Sequence, residues 1–141
     1  YIGACYVATC LTNSSMTPDM LKLPDCEIPR LLLKTRQDGC SLSEDFQEEF
    51  AYLSVELIEH LAKNHRTRLI GLDTPSVDDF HSKTMPCHLS LYQNNVRNLA
   101  GLELGQVSDG WYTLIALPLK IEKADASPVR AVLLPSTNWS R

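Results

Sequence analysis

The sequence predicts an α/β domain, in which strands and helices alternate along the chain. A helical pattern from Val55 to about Asn64 runs directly into the apolar run RLIGL at Arg68 to Leu72. Such a helix-to-strand step is typical of α/β proteins. Two further runs, CYVATCL and RLLLK, are apolar and of strand length. Because 141 residues make up one ordinary domain, we treat residues 1–141 as a single domain.

Composition and charge exclude several classes of protein. Hydrophobic residues make up 44% of the chain and charged residues 21%, which is typical of a globular protein. The net charge of −4 gives no basic face for a nucleic acid. No apolar run approaches the length of about 18 residues that a membrane span needs. The five cysteines are odd in number and form no Cys-x-x-Cys pair, which favours reduced thiols in the cytoplasm or another reducing compartment.

The first third of the chain predicts two buried strands separated by polar turns. Cys5 to Leu11 is rich in small and β-branched residues and predicts the first strand. Thr17 is placed to cap a short helix with Pro18 at its first position. Arg30 to Lys34 predicts the second strand. Residues 36 to 50 are polar and acidic, and they predict a loop with one helical turn.

A helix and a long loop come next. Ser54 is a suitable N-cap for a helix whose apolar residues recur at helical spacing to about Asn64. Residues 76 to 87 form a polar loop, and loops of that length in compact domains are often functional. The remaining predicted elements are a helical turn at His88 to Asn95 and strands at Val96 to Leu104, Trp111 to Leu119 and Val129 to Leu134.

Histidines near carboxylates are the residues that could hold a metal ion. A zinc site needs three or four ligands that converge on one point. His60 and His65 are five residues apart, whereas neighbours on one helix face are three or four apart, so we expect two surface histidines. His88 follows the polar loop, and Asp73, Asp78, Asp79 and His81 lie upstream of it. It is either a metal ligand or a partly buried histidine that hydrogen-bonds to the backbone.

Nucleophilic catalysis has little support in the sequence. There is no Gly-x-Ser-x-Gly elbow and no glycine-rich phosphate loop. Cys87 precedes His88, but adjacent residues on a strand point to opposite faces. We therefore expect no Cys-His dyad and assign no catalytic residue.

A family resemblance adds to these patterns. The segment RLIGLDTPSVDDFHSKTM at Arg68 to Met85 is followed by His88, by WYTLIALPL and, at Asp125 to Leu134, by DASPVRAVLL. These segments, in this order, resemble bacterial kynurenine formamidase within the wider cyclase family of metal-dependent hydrolases. The strand CYVATC and the run PRLLLKT are also similar, so the resemblance covers nearly the whole chain.

The resemblance implies a swivelling β/β/α fold and a dimeric enzyme of tryptophan catabolism that hydrolyses N-formylkynurenine to kynurenine and formate. It also implies one or two divalent metals, usually zinc and sometimes manganese. His88 matches a metal ligand of the family. The residues expected to shape the rim of the substrate pocket are Asp73, Thr74, Ser82 and Lys83.

Two departures from the family pattern affect the expected activity. The His-x-x-x-His-x-Asp motif that supplies the main ligands is absent, and the resemblance places it before Tyr1, so we expect a fold that is incomplete at the N-terminus. The Glu expected twelve residues after His88 is Ala100, and we expect Glu103 to be a solvent-facing strand residue. Because a metal that activates water needs several ligands, the chain alone is expected to be inactive.

Two interpretations of function therefore stay open. The chain is the C-terminal part of a metal-dependent hydrolase, or it is a non-catalytic, cyclase-like subunit of a larger assembly, as Ala100 favours. In both cases a sheet edge without its N-terminal strands needs a partner. We expect a homo-oligomer or a complementary chain that supplies those strands.

Overall fold

The computed structural model describes residues 1–36 and 46–135. The described helices are α1, Val55–Asn64, and α2, Pro86–Gln93, and a 3-10 turn covers Pro18–Met20. The described strands are β1 Ile2–Thr9, β2 Ser15–Met16, β3 Arg30–Lys34, β4 Tyr52–Leu53, β5 Leu69–Leu72, β6 Arg97–Leu99, β7 Gly110–Ile115 and β8 Val132–Pro135.

The main sheet has six strands in the order β6-β5-β3-β1-β7-β8. Its first four strands are parallel, whereas β7 runs antiparallel to β1 and to β8. The parallel strands β1, β3 and β5 end at Thr9, Lys34 and Leu72, so their carboxyl ends lie together along one edge. We call this edge the carboxyl edge. In open α/β sheets, ligands bind outside such an edge.

Each face of the sheet carries its own apolar core. Leu31 and Leu33 of β3 pack with the buried side of the two helices, and Leu32 packs on the opposite face. The opposite face is covered by the chain that follows β6 and precedes β8. All three leucines are buried, because the parallel sheet is covered on both faces. Strands in such a sheet are accordingly apolar along their whole length.

Helix α1 forms as the sequence predicts. The Ser54 hydroxyl accepts a hydrogen bond from the Leu57 amide at 3.0 Å, which caps the first turn. Glu56 lies in the first turn and Lys63 in the last, which complements the helix dipole. The apolar positions Leu57, Ile58 and Leu61 are buried against the sheet. The strand at Arg30–Lys34 is also confirmed residue for residue.

Several predicted strand boundaries were wrong. β1 begins at Ile2, where its pairing with β7 begins, and ends at Thr9, where its pairing with β3 ends. The strand predicted at Val96 to Leu104 covers only Arg97–Leu99, since Gly101 adopts a φ of 65° and turns the chain toward Thr74. The strand predicted from Trp111 ends at Ile115 because its pairing with β8 ends there, and β8 begins at Val132 for the same reason.

Other local predictions also change in the structure. The predicted helix after Thr17 is a single 3-10 turn, and the Thr17 hydroxyl donates to Asp19 instead of capping it. The predicted turn at His88 to Asn95 is the regular helix α2, which begins earlier, at Pro86, and shortens the polar loop. Of the predicted helical turn at 36–50, residues 37–45 lie outside the described residues, and residues 46–50 are not helical. Neither helix of the described chain is long and apolar enough to cross a bilayer.

Candidate functional site

Asp73 lies at the carboxyl edge, directly after β5, and is fully buried. Its carboxylate accepts hydrogen bonds from the Thr35 amide at 2.9 and 3.1 Å and from the Thr35 hydroxyl at 2.7 Å. The Arg36 amide donates to it at 3.3 Å. Both oxygens are therefore engaged in joining the ends of β3 and β5. A role for Asp73 at the rim of a substrate pocket stays a prediction.

The other residues predicted at the rim do not form one cluster. Thr74 is buried beside Asp73, where its hydroxyl donates to the Ser76 carbonyl at 3.2 Å and its carbonyl accepts from Gly101. Ser82 lies in the turn before α2, where its hydroxyl accepts from the Met85 amide at 3.3 Å. Lys83 is exposed in the same turn. Their roles in substrate binding also stay predictions.

The first turn of α2 is capped from a distance by Asp78. Helix N-termini leave amides without an intrahelical partner, and here the N-cap residue Met85 offers no side-chain hydrogen bond. The carboxylate of the buried Asp78 accepts from the Cys87 amide at 2.7 Å and from the His88 amide at 3.0 Å. A carboxylate at this position also interacts favourably with the helix dipole.

The same carboxylate orients the imidazole of His88. His88 Nδ1 lies 2.7 Å from Asp78 Oδ2. Burial raises the pKa of Asp78, but the hydrogen bonds from Cys87 and His88 outweigh burial and hold this pKa below its ordinary value. An ionised carboxylate only accepts, so Nδ1 carries the proton and Nε2 keeps a lone pair. The side chain of His88 is 42% exposed, whereas that of Asp78 is 4% exposed.

Cys87 is unsuited to act as a nucleophile with His88. Its thiol is buried and donates to the Leu53 carbonyl at 2.9 Å. Burial, followed by the hydrogen bond and the negative charge of Asp78, raises the pKa of Cys87 to about 12. At neutral pH the thiolate is scarcely populated. The two residues lie on helix α2 and not on a strand, so the strand argument does not apply, and the absence of a dyad stays a prediction.

From the sequence alone, Asp78 was only one of several loop carboxylates upstream of His88. A signal for its role was nevertheless present. Pro86 begins the helix, and no Ser, Thr, Asp or Asn directly precedes it. A helix without a local cap needs its first amides satisfied from elsewhere, and Asp78 is one of the nearby acceptors.

The remaining candidates lie apart from this pair. His60, in the middle of α1, and His65, directly after its end, are half-buried. His60 Nδ1 hydrogen-bonds to the Asn64 side chain and His65 Nδ1 to the Cys26 carbonyl. Ala100 and Glu103 are exposed, and Glu103 lies beyond the end of β6 and not on a strand. Within residues 1–36 and 46–135, no three His, Cys, Asp or Glu side chains are grouped so that they could hold a metal ion.

No family model matches the sequence. Solved structures similar to this chain include a potential metal-dependent hydrolase with cyclase activity, which is 27% identical with a TM-score of 0.80 over 94% of this chain and 64% of that chain. A predicted metal-dependent hydrolase from Bacillus stearothermophilus is 27% identical with a TM-score of 0.79, over 94% and 63%. Isatin hydrolase A from Labrenzia aggregata, bound to benzyl benzoate, is 21% identical with a TM-score of 0.74, over 93% and 60%.

These similarities confirm the predicted cyclase-like α/β fold. The chain spans 64% and 63% of the length of the two hydrolases at 27% identity. The likeness to isatin hydrolase A concerns the fold.

Proposed function

We propose that this chain is part of a metal-dependent hydrolase and that His88 is one ligand of its divalent metal. The observation that carries this proposal is the pair formed by Asp78 and His88. Histidines that bind metals usually donate their second ring nitrogen to a carboxylate or a carbonyl, which fixes the tautomer and directs the free nitrogen outward. Asp78 holds His88 in this tautomer, with Nε2 able to donate its lone pair.

The donor set of the described residues fits one metal ligand and not a whole site. A bound divalent metal would supply Lewis acidity and an activated water. His88 contributes one nitrogen, and the described residues contain no group of three ligands. We therefore propose that the other ligands come from polypeptide outside the described residues. On this proposal the chain of 141 residues is inactive by itself.

The proposed substrate is N-formylkynurenine, hydrolysed to kynurenine and formate. The support for it is the resemblance carried by the segment from Arg68 to Met85 and by DASPVRAVLL at Asp125 to Leu134. Two similar solved proteins described as metal-dependent hydrolases support hydrolysis as the reaction class. Zinc is the proposed metal, with manganese as the second choice.

Metal analysis of the whole protein tests the proposal. We expect His88→Gln to weaken zinc binding and formamidase turnover, and Asp78→Asn to weaken zinc binding by about 10- to 100-fold through the orientation of His88. His60→Gln is the matched control, because His60 lies on the other helix, α1, where it hydrogen-bonds to Asn64, and its replacement should change neither quantity. Unchanged zinc affinity in the His88→Gln protein would refute the ligand role.

The second candidate is a non-catalytic subunit with the same fold. Ala100 favours it, because the resemblance expects a Glu ligand there. Ala100 precedes Gly101, whose amide donates to the Thr74 carbonyl at 2.8 Å, so it lies at the carboxyl edge. If the whole protein binds no zinc and Ala100→Glu restores binding, the non-catalytic candidate is favoured. Tight zinc binding with turnover in the unmodified protein excludes it.

Helix α2 supports a proposed homo-oligomer. Cys87, Leu91 and Ser90 are buried, yet α2 also carries an exposed apolar stripe of Leu89 and Tyr92, three residues apart, and Met85 just before the helix is exposed as well. A helix that is apolar on both sides is normally buried on both. Because this stripe is uncharged, it can face its own copy across a two-fold axis without repulsion. We expect Leu89→Glu to convert the oligomer to a monomer in light-scattering measurements, whereas Gln93→Glu should leave it assembled.

A further inference from the structure

A cavity of about 420 Å³ opens between α1 and the segment after the 3-10 turn. Its volume falls in the range of small-molecule sites. It lies far from the carboxyl edge. His65 directly follows α1, and its carbonyl accepts from the amide of Ile28, which lies just before β3 and therefore near the opposite edge of the sheet. The residues that line it are Pro18, Leu21, Leu23, Asp25, Leu57, His60, Asn64 and His65.

One wall of the cavity is apolar. Leu57 is fully buried, and Leu21 and Leu23 pack against the same core from the segment after the 3-10 turn. On α1, residues 57, 60 and 64 follow the spacing i, i+3, i+7, so they lie along one side of the helix. The cavity therefore combines a leucine wall with a polar rim.

The polar rim consists mainly of hydrogen-bond acceptors. His65 Nδ1 lies 2.8 Å from the Cys26 carbonyl, which only accepts, so this nitrogen carries the proton and Nε2 is an acceptor in the neutral ring. Asn64 Nδ2 donates to His60 Nδ1 at 3.0 Å, which leaves the Asn64 side-chain oxygen as a second acceptor. Because His60 Nδ1 accepts this bond, His60 Nε2 carries the proton in the neutral ring and is the one donor among the free ring nitrogens.

A carboxylate completes the rim. Asp25 is exposed and has neither a hydrogen-bond nor an ion-pair partner among the residues that the structure describes. Within the described part of the chain, no Lys or Arg side chain lines the cavity, and Arg66, next to His65, is paired with Glu27 at 2.7 Å. The rim is thus negative and rich in acceptors, which is the complement of a cation with several N–H donors.

We propose that this cavity binds a small primary ammonium ion with an apolar or aromatic body. The ammonium group donates to the Asp25 carboxylate and to Nε2 of His65, and the body packs on the partly buried Leu21 and Leu23. The site is independent of His88 and of the proposed hydrolase activity.

Titration of the whole protein with benzylammonium tests this site, with calorimetry and imidazole NMR signals as readouts at neutral pH. We expect saturable binding of one equivalent that shifts the signals of His60 and His65. Benzyl alcohol, which has the same shape without the charge, should bind about fivefold more weakly, and benzoate should not saturate. Asp25→Asn should reduce benzylammonium affinity by a similar factor, because it removes the charge and no internal contact.

Two controls make the result decisive. Asp125→Asn removes an exposed carboxylate elsewhere and should leave binding unchanged, as should His88→Gln. Absence of saturable benzylammonium binding, or equal affinity for benzylammonium and benzyl alcohol in the unmodified protein, overturns the proposal. Equal affinity in the Asp25→Asn protein overturns it as well.

Discussion

Replacing Asp78 with Asn should destabilise the fold and change the tautomer of His88. In the structure, Oδ1 of Asp78 accepts from the Cys87 amide, and Oδ2 accepts from the His88 amide and from Nδ1 of the ring. An Asn side chain keeps one acceptor oxygen for Cys87. It then presents an NH₂ group to the two donors of His88. The ring can adapt by moving its proton to Nε2, but the His88 amide loses its acceptor.

The magnitude follows from the bonds that are lost. Each hydrogen bond to a charged acceptor contributes roughly 1.5–3 kcal/mol, and the substitution removes two such bonds. A neutral amide is cheaper to bury than a carboxylate, which offsets part of the loss. We therefore expect the free energy of unfolding to fall by about 3 kcal/mol at neutral pH. Asp79→Asn is the matched control. Among the described residues, the half-buried Asp79 carboxylate accepts from the His81 amide alone, so we expect a loss below about 1 kcal/mol.

The pH dependence provides a second measurement. The folded protein holds the pKa of Asp78 below its ordinary value. The carboxylate therefore stabilises the fold fully above its pKa in the unfolded chain, about 3.9. This stabilisation is lost as the pH falls through the lowered pKa of the folded state. The difference in stability between the unmodified protein and Asp78→Asn should accordingly narrow below about pH 4.

Urea denaturation measures the stabilities, and ¹⁵N NMR of the imidazole reports the tautomer. We expect the proton of neutral His88 on Nδ1 in the unmodified protein and on Nε2 in Asp78→Asn. An Asp78→Asn protein that unfolds at the same urea concentration and keeps the proton on Nδ1 would refute the role of Asp78 as cap and orienter.

Three further predictions follow from other parts of the fold. Among the four described cysteines, the exposed Cys26 should be alkylated by iodoacetamide at neutral pH. Cys5 and Cys87 should react only after unfolding, because burial raises their pKa values to about 12. Mass spectrometry of labelled peptides distinguishes the outcomes. Asp73→Asn should lower the free energy of unfolding by about 2–3 kcal/mol, because the donors of Thr35 and Arg36, directly after β3, lose a charged acceptor. A raised KM without destabilisation would instead favour the rim role. Gly71→Ala should lower the free energy of unfolding by about 1–3 kcal/mol, because its Cβ would lie 2.5 Å from a Leu32 methyl carbon. Thermal denaturation measures this loss, and an unchanged melting temperature would contradict close packing between β3 and β5.

Local patterns in the sequence were sufficient to predict those helices and strands whose ends are marked by their own residues. Helix α1 has its cap at Ser54 and an apolar side at helical spacing, so both ends were predicted correctly. The strand at Arg30–Lys34 is a continuous apolar run, which marks burial on both faces. The family resemblance added the cyclase-like fold, which agrees with the solved structures.

Strand ends that depend on a partner were not visible in the sequence. Residues 116 to 119 are as apolar as the strand before them, but the ladder with β8 stops at the pair of Ile115 and Val132. The short parallel pair β2 and β4 has two residues in each strand, too few for any periodic signal. In these cases the hydrogen-bonding partner, and not the propensity of the segment, determines where the strand ends.

By itself the sequence determined the α/β class, the main helix and the central strand, and it singled out His88 as a candidate ligand. Only the tertiary structure decided which carboxylate serves which purpose. Asp73 and Asp78 are five residues apart in similar polar surroundings, yet one binds the end of β3 and the other caps α2 and orients His88. The physical reason is that each carboxylate is satisfied by amides from a distant segment, and the fold alone brings those donors within reach.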